Sequence, residues 1–189
     1  NGSSSLFFAK LGAEVTAIDL SEIAIQNLSK FCNEQEISNI IPIKCSAFDI
    51  EQLGQFDFVF GNMILHHLEP FDQFSEILRK ALTPGGKAFF RENSSRSVFL
   101  TWFRQNLVGK FGIPKGGDDE EFPLMPSEIE SLKSNFSVEI VYSELLFFRL
   151  ASQYLFRGNF YNFTQALDNF FLQFPSFRQY SYRQNLLLS

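Results

Sequence analysis

The chain begins with NGSSSLFFAKLGAEVTAID, residues 1–19, and this stretch decides the fold. Gly2 stands as the last glycine of a turn that begins a helix, and the hydrophobic strand 14–19 ends in the acid Asp19. An α/β domain that binds a ribose-bearing cofactor uses this order, because bare glycine backbone admits the ligand and the acid accepts the ribose hydroxyls. The separation between Gly2 and Asp19 is close to the roughly 20 residues typical of such motifs.

The overall composition is that of a soluble globular domain. The chain has 189 residues, of which 45% are hydrophobic and 20% are charged, so one domain with a full hydrophobic core is expected over residues 1–189. No apolar run reaches the roughly 18 residues that a membrane helix needs, and the first residues lack the pattern of a signal peptide. We therefore expect a cytoplasmic protein.

Charge and metal-ligating residues exclude two classes of function. The net charge of −5 argues against nucleic-acid binding, which needs clustered lysine and arginine. The two cysteines, Cys32 and Cys45, have the spacing of neither a disulfide framework nor a zinc site. We expect ordinary thiols and no metal.

Hydrophobic periodicity predicts alternating helices and strands from Ser3 to about Asn93, which is typical of a parallel sheet in an α/β fold. Ser21 is expected to cap a helix that buries Ile23, Ala24, Leu28 and Phe31. A helix at 71–81 is expected to bury Phe74, Ile77, Leu78 and Leu82, and the turn 83–86 follows it. The predicted strands are 14–19, 40–44, 56–61 and 87–91, of which 56–61 is expected to be buried throughout.

The pattern becomes less regular beyond Glu92. The long polar loop 110–125 is a candidate cover for an active site, and the stretch 145–189 combines four arginines with many of the 25 phenylalanines. That aromatic stripe is most simply core, with an apolar acceptor pocket or a membrane-surface contact through 145–182 as the alternatives. The predicted elements are helices at 97–107, at Pro126 and at 145–157 and 160–174, and strands at 138–142 and 182–188.

Five motifs in this order resemble class I S-adenosylmethionine-dependent methyltransferases. They are Gly2–Ser5, Gly12–Ser21, Phe56–Asn62, Leu65–Leu68 and Leu82–Lys87. The resemblance implies a Rossmann-like, mostly parallel sheet flanked by helices, with a cofactor-binding core at 1–93, an acceptor side at 94–189 and extra aromatic-rich helices near the C-terminus. It implies S-adenosyl-L-methionine as the cofactor and methyl transfer to a small-molecule acceptor. Because the family's first strand and the start of its glycine motif would precede Asn1, the chain is expected to be an N-terminally truncated fragment that binds its cofactor poorly.

The resemblance also assigns cofactor contacts to residues that follow strand ends, which should therefore ring one crevice. They are Gly2, Asp19, Leu20, Ser46, Ala47, Asp49 and Asn62. In this assignment Asp19 holds both ribose hydroxyls and Leu20 packs against the adenine. The family usually has Asp where Ser46 stands, so either Ser46 or Asp49 receives the adenine amino group. Asn62 lies beside the methionine part.

Two adjacent histidines are the candidate catalytic groups. His66 and His67 follow the strand 56–61, and an imidazole can take a proton from the acceptor as the methyl group transfers. Alternatively the pair is part of the framework, and methyl transfer needs mainly alignment of the reacting atoms. Glu92, at the end of the next strand, either contacts a ligand or is a solvated strand end.

Two other functions are compatible with a glycine turn and a strand-end acid. One is an NAD(P)-dependent oxidoreductase, which shares both features; the other is a non-catalytic interaction module that kept the fold. The pair His66–His67 and the turn 83–86 favour the methyltransferase. The sequence names neither the acceptor nor the oligomeric state.

Overall fold

The structure, a computed structural model, describes residues 2–97, 100–102, 106 and 123–189. The chain divides into two compact units, Asn1–Gly54 and Gln55–Ser189. Only part of the predicted helix 97–107 lies within the described residues. Most of the predicted loop 110–125 lies outside them.

The first unit consists of a parallel pair of strands with three helical segments. Its elements are α1 (Ser3–Lys10), β1 (Val15–Asp19), α2 (Glu22–Glu34), β2 (Ile40–Lys44) and a short 3-10 helix, η1 (Ala47–Leu53). Val15 lies opposite Ile40, and Asp19 lies opposite Lys44. The carboxyl ends of both strands therefore meet at one edge of this sheet.

Helix α2 begins as predicted, but part of its predicted buried face is wrong. The Ser21 side chain accepts a hydrogen bond from the Ala24 N–H at 3.2 Å, which caps the helix. Ile23 is 70% exposed and Phe31 is 42% exposed, whereas Cys32 is buried. A two-stranded sheet is narrow, so it covers only part of the apolar stripe of a helix.

The second unit is built on a four-stranded sheet of order β3-β4-β6-β5. Strand β3 pairs with β4 in parallel, and β6 lies antiparallel between β4 and β5. The strands are β3 (Phe56–Asn62), β4 (Leu82–Asn93), β5 (Val138–Glu144) and β6 (Arg183–Leu188). The helical elements are a 3-10 helix, η2 (Leu65–His67), and α3 (Phe71–Ala81), α4 (Pro126–Lys133), α5 (Phe147–Leu155), α6 (Tyr161–Leu172) and α7 (Pro175–Arg178). The predicted α/β class is confirmed, as is the final strand in the middle of a sheet.

The core of this unit forms where the sequence periodicity predicts it. Helix α3 has the predicted bounds, and all four of its expected apolar residues are buried: Phe74, Ile77, Leu78 and Leu82. Strand β6 contributes Leu186 and Leu188, which are fully buried.

Strands β3 and β4 differ from their predictions. Phe58 in β3 is 45% exposed, because β3 has one neighbouring strand in the described sheet and is not a central strand. Strand β4 begins at Leu82, five residues before the prediction: Phe56 pairs with Leu82, but Phe58 pairs with Lys87. The Thr83–Gly86 turn is thus accommodated as an irregularity within the strand.

The aromatic-rich helices α5 and α6 lie within the predicted ranges, but the stripe is not mainly core. Its exposed phenylalanines have exposed fractions of 44–69% and are Phe156, Phe160, Phe163, Phe170, Phe174 and Phe177. Among the described residues, no helix is long and apolar enough to cross a membrane.

Substitution Gly61→Ala tests the packing between β3 and β4. An added Cβ would collide with the ring of Phe90 and with Cγ2 of Ile64, and overpacking of this kind costs about 1–3 kcal/mol. We expect chemical denaturation to show a loss of that size in the free energy of unfolding. Lys87→Gln, at an exposed position of β4, is the control and should change it little; equal stability of the two variants would contradict the packing.

Candidate active site

Asp19 ends β1 with an exposed carboxylate that has one free oxygen. Its Oδ1 accepts a hydrogen bond from the Ser21 N–H at 2.8 Å, and its other oxygen has no hydrogen-bond partner in the described part of the chain. The turn therefore fixes the carboxylate while leaving one acceptor oxygen available. Such an oxygen fits a ribose hydroxyl, which is a hydrogen-bond donor.

Exposed apolar side chains stand beside this acid. Leu20 is 71% exposed and Ile23 is 70% exposed. Large exposed apolar groups beside a free acceptor are typical of ligand sites, in which apolar surface is combined with a few polar groups. This pairing fits a nucleoside, which has an apolar base face and a polar ribose.

The turn after β2 lies beside the end of β1, because the Cys45 N–H donates to the Asp19 carbonyl oxygen at 3.2 Å. Ser46 Oγ accepts from the Phe48 N–H at 3.2 Å and caps η1, which includes the half-buried Ala47. Asp49 is exposed; its Oδ1 accepts from the side chain of Gln52 at 3.0 Å. Its second oxygen has no described partner. Asp49 is therefore the better acceptor for an amino group.

Gly2 is required by the packing of the first unit. Its φ of 69° lies in the left-handed region, and an added Cβ would lie 2.8 Å from Cδ1 of Leu28. The positive φ and the limited space for a Cβ both favour glycine without any ligand. The contact of Gly2 with a ligand stays a prediction.

In the second unit, a buried carboxylate connects β4 to the segment that follows β3. Glu92 is fully buried, and its Oε1 accepts the N–H groups of Ile64 and Leu65, both at 2.8 Å. Its Oε2 lies 2.8 Å from Nδ1 of His66. The alternative of a solvated strand end for Glu92 is thus wrong, because these partners replace the water that an exposed carboxylate would bind.

The structure distinguishes the two histidines. The His66 side chain is 3% exposed, and its Nε2 is buried without a partner among the described residues. His67 is exposed, and its ring centroid lies 4.1 Å from that of His66. The ring of His66 is thus enclosed and held by Glu92, whereas His67 is accessible; the part that either plays in catalysis stays a prediction.

Asn62 ends β3 with an exposed side chain. It lies opposite Arg91 in the parallel register, and no hydrogen bond to its amide is found in the described chain. Asn62, His66 and His67 lie in the second unit, whereas the other predicted site residues lie in the first. A single crevice ringed by both sets stays a prediction.

Sequence reasoning missed a group of charged residues at the carboxyl end of β4. Arg91 pairs with Glu144 at 2.8 Å, and Glu144 also pairs with Arg149 at 3.0 Å. Nε of Arg149 lies 3.4 Å from Oδ2 of the buried Asp168. The sequence signal that could have indicated this group is the run of polar residues that directly follows the apolar residues of β4. In the described ranges, no group of three metal-ligating side chains is found.

Comparisons with known proteins agree with this geometry. A family model described as a methyltransferase domain matches residues 1–90. Residues 1–90 are thus similar to a methyltransferase domain. The comparisons support the predicted class I family and confirm its Rossmann-like fold.

Individual relatives are more distant. The ubiquinone biosynthesis O-methyltransferases of two Rickettsia bellii strains are 27% identical over 132 residues, which is 68% of this chain and 54% of each relative. The chain thus spans about half the length of these curated relatives. The PH0226 protein of Pyrococcus horikoshii is 20% identical with a TM-score of 0.60, covering 100% of this chain and 76% of that one. PKMT2 of Rickettsia typhi, solved with AdoHcy, is 18% identical with a TM-score of 0.52, covering 92% and 43%.

Substitution Glu92→Ala tests the buried carboxylate in this methyltransferase fold. Alanine removes both acceptor oxygens, so the N–H groups of Ile64 and Leu65 and the ring of His66 lose their partner. A buried polar group left unpaired costs about 1–3 kcal/mol, and we expect a loss of at least this order in the free energy of unfolding. Glu139→Ala, at an exposed position of β5, is the control. Equal denaturation midpoints for the two variants would contradict the role of Glu92.

Proposed function

We propose that this domain transfers a methyl group from S-adenosylmethionine to a small-molecule acceptor. The observation that carries the proposal is the free carboxylate oxygen of Asp19 beside the exposed Leu20, within the 90 residues that match the methyltransferase domain. Since the chain spans about half of its curated relatives, the activity of the whole protein belongs to the proposal as well.

Each cofactor contact follows from the hydrogen-bonding capacity of its residue. The free oxygen of Asp19 accepts a ribose hydroxyl, and Leu20 covers one face of the adenine. Asp49 accepts the adenine amino group, since Ser46 already uses its oxygen to cap η1. The amide of Asn62 binds the polar end of the methionine part, and Gly2 lies near this ligand. The bound cofactor supplies an electrophilic methyl group.

The exposed His67 is the histidine that removes the proton from the acceptor. An imidazole is the side chain that most often acts as a general base. His66 positions the segment through Glu92 and does not contact the acceptor. This assignment separates two adjacent side chains that cannot both reach the same acceptor atom.

We propose a hydroxyl group as the methylated group. The relatives from Rickettsia bellii are named O-methyltransferases of ubiquinone biosynthesis, which supports an oxygen acceptor. The exposed phenylalanines of α6 and α7 and of the residues that flank these helices support an acceptor or membrane surface with an apolar part. Contact of 145–182 with such a surface remains part of this proposal.

Substitution Asp19→Asn tests the cofactor site without unfolding the turn. The amide oxygen still accepts the Ser21 N–H, so the fold is retained, but the charged acceptor for the ribose is lost. Hydrogen bonds to charged groups contribute about 1.5–3 kcal/mol, so affinity for S-adenosylmethionine should fall about tenfold or more in calorimetric titrations.

Glu14→Gln, just before β1 and exposed, is the matched control, and its affinity should equal that of the unmodified chain. Unchanged affinity in Asp19→Asn would contradict the ribose contact. Saturable binding of NAD without binding of S-adenosylmethionine would overturn the proposed function in favour of an oxidoreductase.

Substitutions of the two histidines separate a base from a framework residue. With methyl-labelled S-adenosylmethionine and a small-molecule cell extract as acceptor, His67→Ala should lower label transfer by about 10²-fold or more while the melting temperature stays unchanged. His66→Ala should lower the melting temperature. Unchanged transfer by His67→Ala in an otherwise active chain would show that no base acts there.

A further inference from the structure

One face of the four-stranded sheet is polar at the carboxyl end of β4. Residues directly opposite each other in antiparallel strands project from the same face. Arg183 lies opposite both Asn93 and Glu144, and Asn185 lies opposite Arg91. We call these five residues the polar strand-end face.

The arginines near this face differ in their partners. The carboxylate of Glu144 is shared by Arg91 at 2.8 Å and Arg149 at 3.0 Å, and Arg149 also pairs with Asp168. Arg183 forms no salt bridge with a carboxylate in the described part of the chain, and its Nη1 instead donates to the Met63 sulfur at 3.0 Å. A thioether sulfur is a weak acceptor, and no other acceptor for this guanidinium is found among the described residues.

Buried polar atoms without partners lie on the same face. Among the described residues, Nε of Arg183 and Oδ1 of Asn93 and Asn185 have no hydrogen-bond partner. Asn93 is only 8% exposed. Burial and then the positive charge of Arg91 lower the pKa of Arg183, and the carboxylates of Glu144 and Glu92 offset part of this effect. Unpaired buried groups are costly, so this arrangement is typical of a site that a ligand completes.

We propose that Arg183, with Arg91 beside it, binds an anionic group of the acceptor, a carboxylate or a phosphate. The planar guanidinium presents parallel N–H donors that match two oxygens of such a group. Asn93 and Asn185 offer carbonyl oxygens to hydroxyl or N–H groups next to the anion. This inference rests on the proposed function, because it assigns the anion to the methyl acceptor.

The position in the sheet favours the acceptor over the cofactor. The residues proposed to bind the cofactor follow β1, β2 and β3. Arg183 begins β6, which is two strands beyond β3 in the order β3-β4-β6-β5. Its guanidinium reaches back to Met63, so an anion bound there would lie beside the Asn62 proposed to hold the methionine part, where the acceptor has to approach. It also lies outside residues 1–90, the range that the methyltransferase domain model matches.

Anion titration of the chain tests the inference with inorganic phosphate and benzoate as separate probes. Binding of at least one probe is expected in the millimolar range, and the better probe identifies the anion as phosphate or carboxylate. Arg183→Gln should weaken that binding about tenfold or more, because a charge-assisted pair is lost. Arg183→Lys keeps the positive charge but lacks the parallel N–H donors, and it should give an intermediate loss of affinity. Lys87→Gln removes one positive charge from the other end of β4 and should have no effect.

Each outcome separates this inference from the proposed function. Titrations are made with and without saturating S-adenosylmethionine, and melting curves confirm that each variant folds; if Arg183→Gln does not fold, Arg183→Lys decides. Displacement of the probe by S-adenosylmethionine would overturn the inference, because the arginines would then hold the cofactor. So would equal binding by Arg183→Gln and Lys87→Gln, or no binding of either probe. Saturable binding of NAD in place of S-adenosylmethionine, with anion binding intact, would overturn the proposed function alone.

Discussion

The second unit depends on a single buried carboxylate. A carboxylate removed from water is tolerated only when its oxygens are paired, and those of Glu92 are paired with two backbone N–H groups and the His66 imidazole. The same three contacts fix the segment after β3, which also holds His67. This one acid therefore determines which of the two adjacent histidines is enclosed and which is exposed.

The sequence predicted those features that depend on local pattern. Helix α3 shows this most clearly, since its apolar spacing alone sets the bounds Phe71–Ala81 and its buried face. The burial of Glu92 and the exposure of Ile23 were not predictable in this way. Both depend on which segment packs against them, and a charged strand end or an apolar helix residue has the same sequence pattern in either environment.

The family model ends near the middle of the chain. The methyltransferase domain model matches residues 1–90, which include Asp19, Leu20 and Asn62. Strands β5 and β6 and helices α5 to α7 lie beyond this range. Because a fold hosts many functions and specificity lies in individual sites, the acceptor has to be inferred from the charges and exposed aromatic groups of the second half itself.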